Sequence, residues 1–395
     1  MTFLLTSKNV FEYLIEKRLC TQENQSTIQI DLKPAKNFNL LLSFPEGRKL
    51  LVKQEPHDRQ GKTAGEFLRE WQVQTLLQRF PELSQICPYL SEAIYFDAEH
   101  SVIVFNYLND YCDLADFYGR ANIFPTRIAT ALGATLATIH RLTLERPGYR
   151  ELLQSNQGEL SPQPFELTRS LERIAPEIFG TFPADGLRFF SLYQRYDSLG
   201  QAIAELCNTI APCCLIHNDL KLNNILLANN WEEVVSETVP STNSIIRLID
   251  WEKSAWGDPA IDLGMLIASY LQCWLYSLMT SKTIALEESL RLATIPLEHL
   301  QPSIAALTRA YLSNFPEIFE LRPDFLQRVV QFSGLALIQA ILAMLQHEKI
   351  FGNAGICMLQ VAKSLLCRPE PSIPTVFGMD AFELTRPTVV LHLLK

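Results

Sequence analysis

The 395-residue sequence predicts an α+β protein in two parts. A small lobe over residues 1–107 carries a five-stranded antiparallel sheet, a leading helix and one further helix. A larger, mainly helical lobe spans 108–395. Three observations predict this. Five short runs between residues 28 and 106 have strand character, with one helical run among them. Beyond Tyr107 the apolar spacing changes to three and four. Strand-like runs then return only briefly, within 213–228 and 245–252.

Asn9 to Leu19 places Val10, Tyr13 and Leu14 on one side of the leading helix. Ile28, Ile30 and Leu32 alternate with polar residues, as a half-buried strand does. Leu40–Phe44 and Leu50–Gln54 flank the turn Pro45-Glu46-Gly47 and complete a meander. Thr63-Ala64-Gly65-Glu66 has the form of a capping box, predicting a helix from Thr63 to about Arg79. Ala93–Asp97 and Ser101–Asn106 supply two more strands. Pro125 opens a helix whose Ile128, Leu132, Leu136 and Ile139 lead down one face to His140. Ser155–Pro164 is rich in Ser, Gln, Gly and Pro and reads as a loop, with helices over Phe165–Phe179 and Leu187–Ile210. Cys213–Ile216, Ile225–Ala228 and Ile245–Ile249 are short apolar strands, and the polar run Asn229–Ser244 is an exposed loop between the last two. Helices fill 262–367. The proline-bearing tail 368–395 receives no assignment.

Composition narrows the function. The net charge of −9 supplies no broad basic field, which argues against nucleic acid as a main partner. Nine cysteines without a C-x-x-C pair imply free thiols and a cytoplasmic, reducing location. Vicinal Cys213-Cys214 reads as strand filling. Phe3-Leu4-Leu5 is too short for a secretion signal. Leu263–Met279, interrupted by Gln272, reads as a core helix, so no membrane partner is expected.

The chemistry is concentrated in His217-Asn218-Asp219-Leu220-Lys221-Leu222-Asn223-Asn224 and in Ile249-Asp250-Trp251-Glu252, which follows 31 residues after Asp219. Phosphoryl transfer needs a carboxylate to orient an acceptor hydroxyl and oxygen ligands for Mg²⁺. Asp219 fits the first role. The amide oxygen of Asn224 and the carboxylate of Asp250 fit the second. Segment 213–228 is then the catalytic loop and 245–252 the metal-binding strand.

These residues, with Gly257-Asp258-Pro259-Ala260-Ile261-Asp262-Leu263-Gly264, resemble the aminoglycoside phosphotransferase/choline kinase-like family, relatives of protein kinases. Leu132–His140 resembles the helix before that family's catalytic loop. Leu51-Val52-Lys53, with Arg69-Glu70 and Leu76-Leu77, resembles its strand lysine and helix glutamate. The resemblance implies a bilobal protein kinase-like fold and transfer of the γ-phosphate of ATP, with Mg²⁺, to an alcohol. It implies that Lys53 contacts the α- and β-phosphates and pairs with Glu70, and that Lys221 reaches the γ-phosphate. Asn106 to Leu108 would offer backbone groups to adenine. His217 and Asp262 would support the loop, Asp262 by accepting its backbone N–H groups. The helices of 262–367 would bind the acceptor.

Two departures stand out. The hairpin segment Lys33-Pro34-Ala35-Lys36-Asn37-Phe38-Asn39 has no glycine where protein kinases cover the phosphates, leaving Lys36 and Asn37 as side-chain donors. No Ala-Pro-Glu segment follows Asp250. The acceptor stays open between a small molecule and a Ser/Thr hydroxyl of a peptide, as in natural-product maturation. Residues 265–395 carry ten acidic and ten basic side chains, a balance that disfavours polycationic acceptors. A silent nucleotide-binding scaffold is the rival from another class.

Overall fold

A computed structural model of the chain describes residues 3–22, 28–154, 184–236, 244–278, 288 and 291–386. In chain order its elements are α1 (Val10–Glu16), β1 (Gln29–Lys33), β2 (Phe38–Ser43), β3 (Lys49–Gln54), α2 (Glu66–Arg79), β4 (Ala93–Asp97), β5 (Val102–Asn106), β6 (Tyr111–Asp113), α3 (Leu114–Ala121), α4 (Thr126–Thr143), α5 (Pro147–Gln154), α6 (Ala184–Tyr193), α7 (Asp197–Asn208), β7 (Cys214–Ile216) and β8 (Ile225–Ala228). There follow α8 (Trp231–Ser236), β9 (Ile246–Leu248), β10 (Ala255–Gly257), α9 (Ala260–Tyr276), α10 (Leu297–Asn314), α11 (Ile318–Leu321), α12 (Phe325–His347), α13 (Asn353–Cys367), α14 (Pro369–Phe377) and α15 (Ala381–Thr385). The chain divides into two compact units. The first comprises Met1–Cys112, Glu151–Gln157 and Leu226–Ala255, and the second the remainder.

The first unit is built on an antiparallel sheet of order β1-β2-β3-β5-β4. Strand alternation sorts its side chains. Leu40, Leu42, Leu50, Val52, Val102 and Val104 face the buried Val10, Tyr13 and Leu14 of α1. Leu51, Ile103 and Phe105 line the other face with Phe67 of α2. Lys53 lies in register with Asn39 and Ile103, so it belongs to this second face.

Helix α2 starts at Glu66, three residues later than the capping box predicts. Gly65 takes a left-handed conformation (φ 70°), and the Glu66 N–H is satisfied by Glu55 Oε1 at 2.7 Å, not by Thr63. The second oxygen of Glu55 accepts from the Ser101 hydroxyl, so a distant carboxylate does the capping.

Asp97 ties α1 to the end of β4. The Tyr13 hydroxyl donates to its Oδ2 at 2.9 Å, with His100 Nδ1 at 3.0 Å and Lys17 Nζ at 3.3 Å. Burial alone would raise this carboxyl, but the bonds from His100, Tyr13 and Lys17 hold it down at about 2. A depressed carboxyl stabilises the fold above its unfolded pKa and loses that contribution as pH falls through the folded value. The shift corresponds to about 2 kcal/mol. Urea unfolding of wild type and Asp97→Asn is expected to differ by about this amount at pH 7. The difference should close as pH falls from about 4 to about 2.

The second unit is helical. α3 is capped by Asp113, whose side chain accepts the Asp116 N–H at 3.0 Å. α4 packs on α10 through Gly133, where a Cβ would lie 2.1 Å from the carbonyl oxygen of Leu307. Backbone cannot yield as a side chain can. Gly133→Ala is therefore expected to force the two helices apart and cost about 3 kcal/mol, read as a lowered thermal midpoint. α9 packs against α12, and α12 against α13. α12 is long and apolar enough to cross a membrane by composition, yet 72% of its most apolar window is buried.

Several sequence expectations are corrected. The single helix over Leu187–Ile210 is two, α6 and α7, interrupted at 194–196. The loop expected over Asn229–Ser244 contains α8. The tail 368–395 has no assignment from the sequence; its described part, to residue 386, contains α14 and α15. Pro369 sits in the first turn of α14, where a missing N–H costs nothing. The loop Ser155–Pro164 and helix Phe165–Phe179 lie outside the described residues.

Candidate active site

Two groups of site residues form, one in each unit. In the first unit Lys53 projects from β3 over the Phe105 ring, 5.2 Å from its centroid, and is 8% exposed. Its ammonium pairs with Asp250 Oδ1. Burial alone would lower the Lys53 ammonium, but Asp250 and then Glu70 keep it above its ordinary value. Asp250 follows β9 in a left-handed conformation, φ 61° and ψ 57°, which Asp tolerates better than most residues. Its side chain is 34% accessible.

Glu70, on α2, lies beside this pair and acts on Lys53 through space. Its Oε1 accepts the Trp251 N–H at 3.4 Å, and its Oε2 has no hydrogen-bond partner among the described residues. Burial is the main cause that lifts its carboxyl well above the usual range; Lys53 opposes the rise, while Asp250 and Glu252 add to it. The direct partner of Lys53 is thus Asp250, and Glu70 fastens α2 to the segment after Asp250.

Glu252, which sequence reasoning left without a role, completes the cluster. Its carboxylate accepts from Asn37 Nδ2 at 3.2 Å and lies 4.0 Å from Lys36 Nζ; its carbonyl accepts from Arg69 Nε at 2.9 Å. Burial raises its carboxyl, as do Glu66 and Asp250. Lys36 Nζ also reaches Glu66 Oε2 at 2.6 Å. The glycine-free hairpin is therefore pinned by its own side chains to the Asp250–Glu252 segment. Further along the sheet, the Asn106 N–H and side chain are taken by Glu92, at 3.1 and 2.8 Å. Leu108 follows, half-buried, just after the strand ends.

In the second unit β7 pairs with β10 and leads into the segment that the sequence marks as a candidate catalytic loop. Asp262, at the start of α9, is fully buried and accepts the His217 N–H at 2.7 Å and the Asn218 N–H at 2.8 Å. Both bonds bend the chain at Asn218 (φ 62°), immediately before Asp219. His217 is buried inside the loop. The Leu222 N–H bonds to Ser269 Oγ at 3.1 Å, fixing the far side of the loop to α9.

Asp219 keeps its carboxylate partly open, with side-chain accessibility of 23%, and Lys221 Nζ stands 3.2 Å from its Oδ2. Asn224 Nδ2 donates to the Asp219 carbonyl at 2.8 Å. Spending the amide nitrogen this way turns Asn224 Oδ1 to the opposite side, as an oxygen ligand requires. The second unit thus assembles Asp219, Lys221, Asn224, His217 and Asp262. The first assembles Lys53, Glu70, Asp250 and Glu252.

The sequence profile of a family described as "Phosphotransferase enzyme family" matches residues 35–274. Among solved structures, the ADP-bound aminoglycoside phosphotransferase APH(2'')-Ib is 14% identical, with a TM-score of 0.50 over 91% of this chain and 99% of that one. The choline kinase LicA from Streptococcus pneumoniae is 17% identical, with a TM-score of 0.43 over 91% of this chain and 98% of that one. No curated protein matches the sequence. At such identity the first of these structures speaks to the fold, which is the protein kinase-like α+β fold. The matched segment covers well over half of the chain and contains both groups of site residues, and the chain belongs to the phosphotransferase enzyme family.

Proposed function

We propose that the protein is an ATP- and Mg²⁺-dependent phosphotransferase that moves the γ-phosphoryl group to an alcohol hydroxyl of a small molecule. The observation that carries the reading is the catalytic loop. A carboxylate at Asp219 is kept open beside Lys221 while the backbone behind it is fixed by a sealed Asp262. Asp219 orients the acceptor hydroxyl and takes its proton late. Lys53 neutralises the α- and β-phosphates, and Lys221 the transferring group. Backbone groups of the segment Asn106 to Leu108 would face adenine, other than the Asn106 N–H, which Glu92 takes.

The residues present fit a divalent cation. Lys53 pairs with Asp250, and burial together with neighbouring carboxylates raises the Glu70 and Glu252 carboxyls beside them, a crowding of acidic groups that a second cation would relieve. Asp250 would be a ligand of Mg²⁺ in the first unit, and the ion would supply charge neutralisation on the phosphates. Lys53 would then exchange Asp250 for phosphate oxygens. The cytoplasmic location is proposed on the nine free thiols.

The acceptor class rests on charge. Residues 265–395 carry ten acidic and ten basic side chains, so they offer no acidic excess to attract a polycation. A neutral or amphipathic alcohol fits that balance. The test is ADP release that needs both Mg²⁺ and an acceptor, measured on a panel of alcohols and Ser/Thr peptides. Asp250→Asn is expected to lower kcat at least a hundredfold and to raise the Mg²⁺ concentration required. An unchanged Mg²⁺ dependence in this variant contradicts the role of Asp250. Nucleotide binding without turnover across the panel would favour a silent scaffold.

A further inference from the structure

One sealed line of hydrogen bonds in the second unit leads from a helix remote in sequence to the loop that bears Asp219. Tyr311, on α10, lies with its hydroxyl 2.9 Å from His140 Nδ1 on α4. His140 Nε2 lies 3.2 Å from Asp262 Oδ2. Asp262 in turn holds the His217 and Asn218 N–H groups. Tyr311, His140 and Asp262 are each 0% exposed, so no solvent can replace a lost member.

A carboxylate oxygen only accepts, so the ring nitrogen facing Asp262 Oδ2 is a donor, Nε2–H. With that proton alone on the ring, Nδ1 offers a lone pair to the Tyr311 hydroxyl. Burial, with Cys214, Cys213 and the carboxylates Asp262 and Asp258 nearby, pushes the Tyr311 phenol far above its ordinary value and keeps it a donor. The hydroxyl is aimed by packing: the Tyr311 ring stacks on Phe325 at 5.7 Å and meets the edge of Phe315 at 6.0 Å.

We propose that Tyr311 is a positioning residue for phosphoryl transfer, acting through His140 and Asp262 on the backbone of His217 and Asn218 and so on the direction of the Asp219 carboxylate. The proposal rests on the reading of Asp219 as the residue that orients the acceptor. Without the hydroxyl, Nδ1 sits dry and unpartnered. The ring is then free to turn away from Asp262, which loosens the two N–H bonds that fix the left-handed turn at Asn218.

Two measurements test this. In the wild-type protein, ¹⁵N spectra of labelled histidine should show His140 as the Nε2–H tautomer with a hydrogen-bonded Nδ1. An Nδ1–H tautomer or an imidazolium overturns the proposal without any variant. In Tyr311→Phe, with ATP hydrolysis by water as the probe reaction, kcat is expected to fall about tenfold with KM for ATP unchanged. Amide exchange at His217 and Asn218 should quicken by a similar factor, about tenfold. A folded Tyr311→Phe with wild-type kcat and wild-type exchange overturns it. Asp219→Asn, run in parallel, separates the two claims. If that variant is dead while Tyr311→Phe is fully active, positioning by Tyr311 fails and the reading of Asp219 stands. If Asp219→Asn is active, the reading of Asp219 fails instead.

Discussion

Asp219→Asn is expected to lower kcat by about a thousandfold while leaving the KM for ATP within about twofold, because general-base and orienting roles act on the transition state and not on nucleotide binding. The substitution is nearly isosteric. It leaves the carbonyl of residue 219, which accepts from Asn224 Nδ2, in place. The loop should therefore stay folded and Asn224 oriented. What is lost is the acceptor oxygen that aligns the hydroxyl and the charge that receives its proton. A further loss is the ion pair with Lys221 at 3.2 Å, which frees that lysine to sit closer to phosphate. A modest tightening of ATP binding would accord with this; a large rise in KM would not. The measurement is steady-state ADP release against ATP concentration, with a thermal melt to show that the variant is folded.

The largest effect on stability is expected at Asp262. Truncation to Ala leaves the N–H groups of His217 and Asn218, and His140 Nε2, facing an emptied, fully buried site. Three unmet donors in a dry interior cost on the order of 3–5 kcal/mol, which in a unit of this size lowers the melting midpoint by roughly 10 °C. Asp262→Asn does little better, because one amide face presents N–H groups where oxygen is needed. A thermal shift of only a degree or two for Asp262→Ala would show that the loop is fixed by something other than this carboxylate.

Much of the fold was legible because its signals are local. The first strand announced itself by period-two alternation and the others as short apolar runs beside turns, and the order of three strands, one helix and two strands appears in the structure. Elements set by distant contacts were less legible. Nothing near Thr63 announces that Glu55 caps α2, since the bond spans eleven residues and depends on the sheet. The break between α6 and α7 has neither Pro nor Gly to mark it. The proline-bearing tail received no assignment, although Pro369 is well placed at a helix start.

The site divides in the same way. Asp219, Asn224 and Asp250 could be named from spacing, because the chemistry fixes the residue types. The partner of Lys53 could not, since Glu70 and Asp250 are both carboxylates and only packing decides which one meets the ammonium. Glu252 had a signal that went unused: a carboxylate two residues beyond a candidate metal ligand, of opposite charge to Lys36. The contact between His140 and Tyr311 spans 171 residues and has no local signature at all.

The central claim is that this chain transfers the γ-phosphoryl group of ATP to an alcohol by means of Asp219. It is tested most directly by following label from [γ-³²P]ATP, with Mg²⁺, into a panel of small alcohols and Ser/Thr peptides. Wild type should place label in an alcohol phosphoester, and Asp219→Asn should place essentially none. Equal labelling by both proteins would contradict the account, as would label appearing in no acceptor while ATP is bound and left intact.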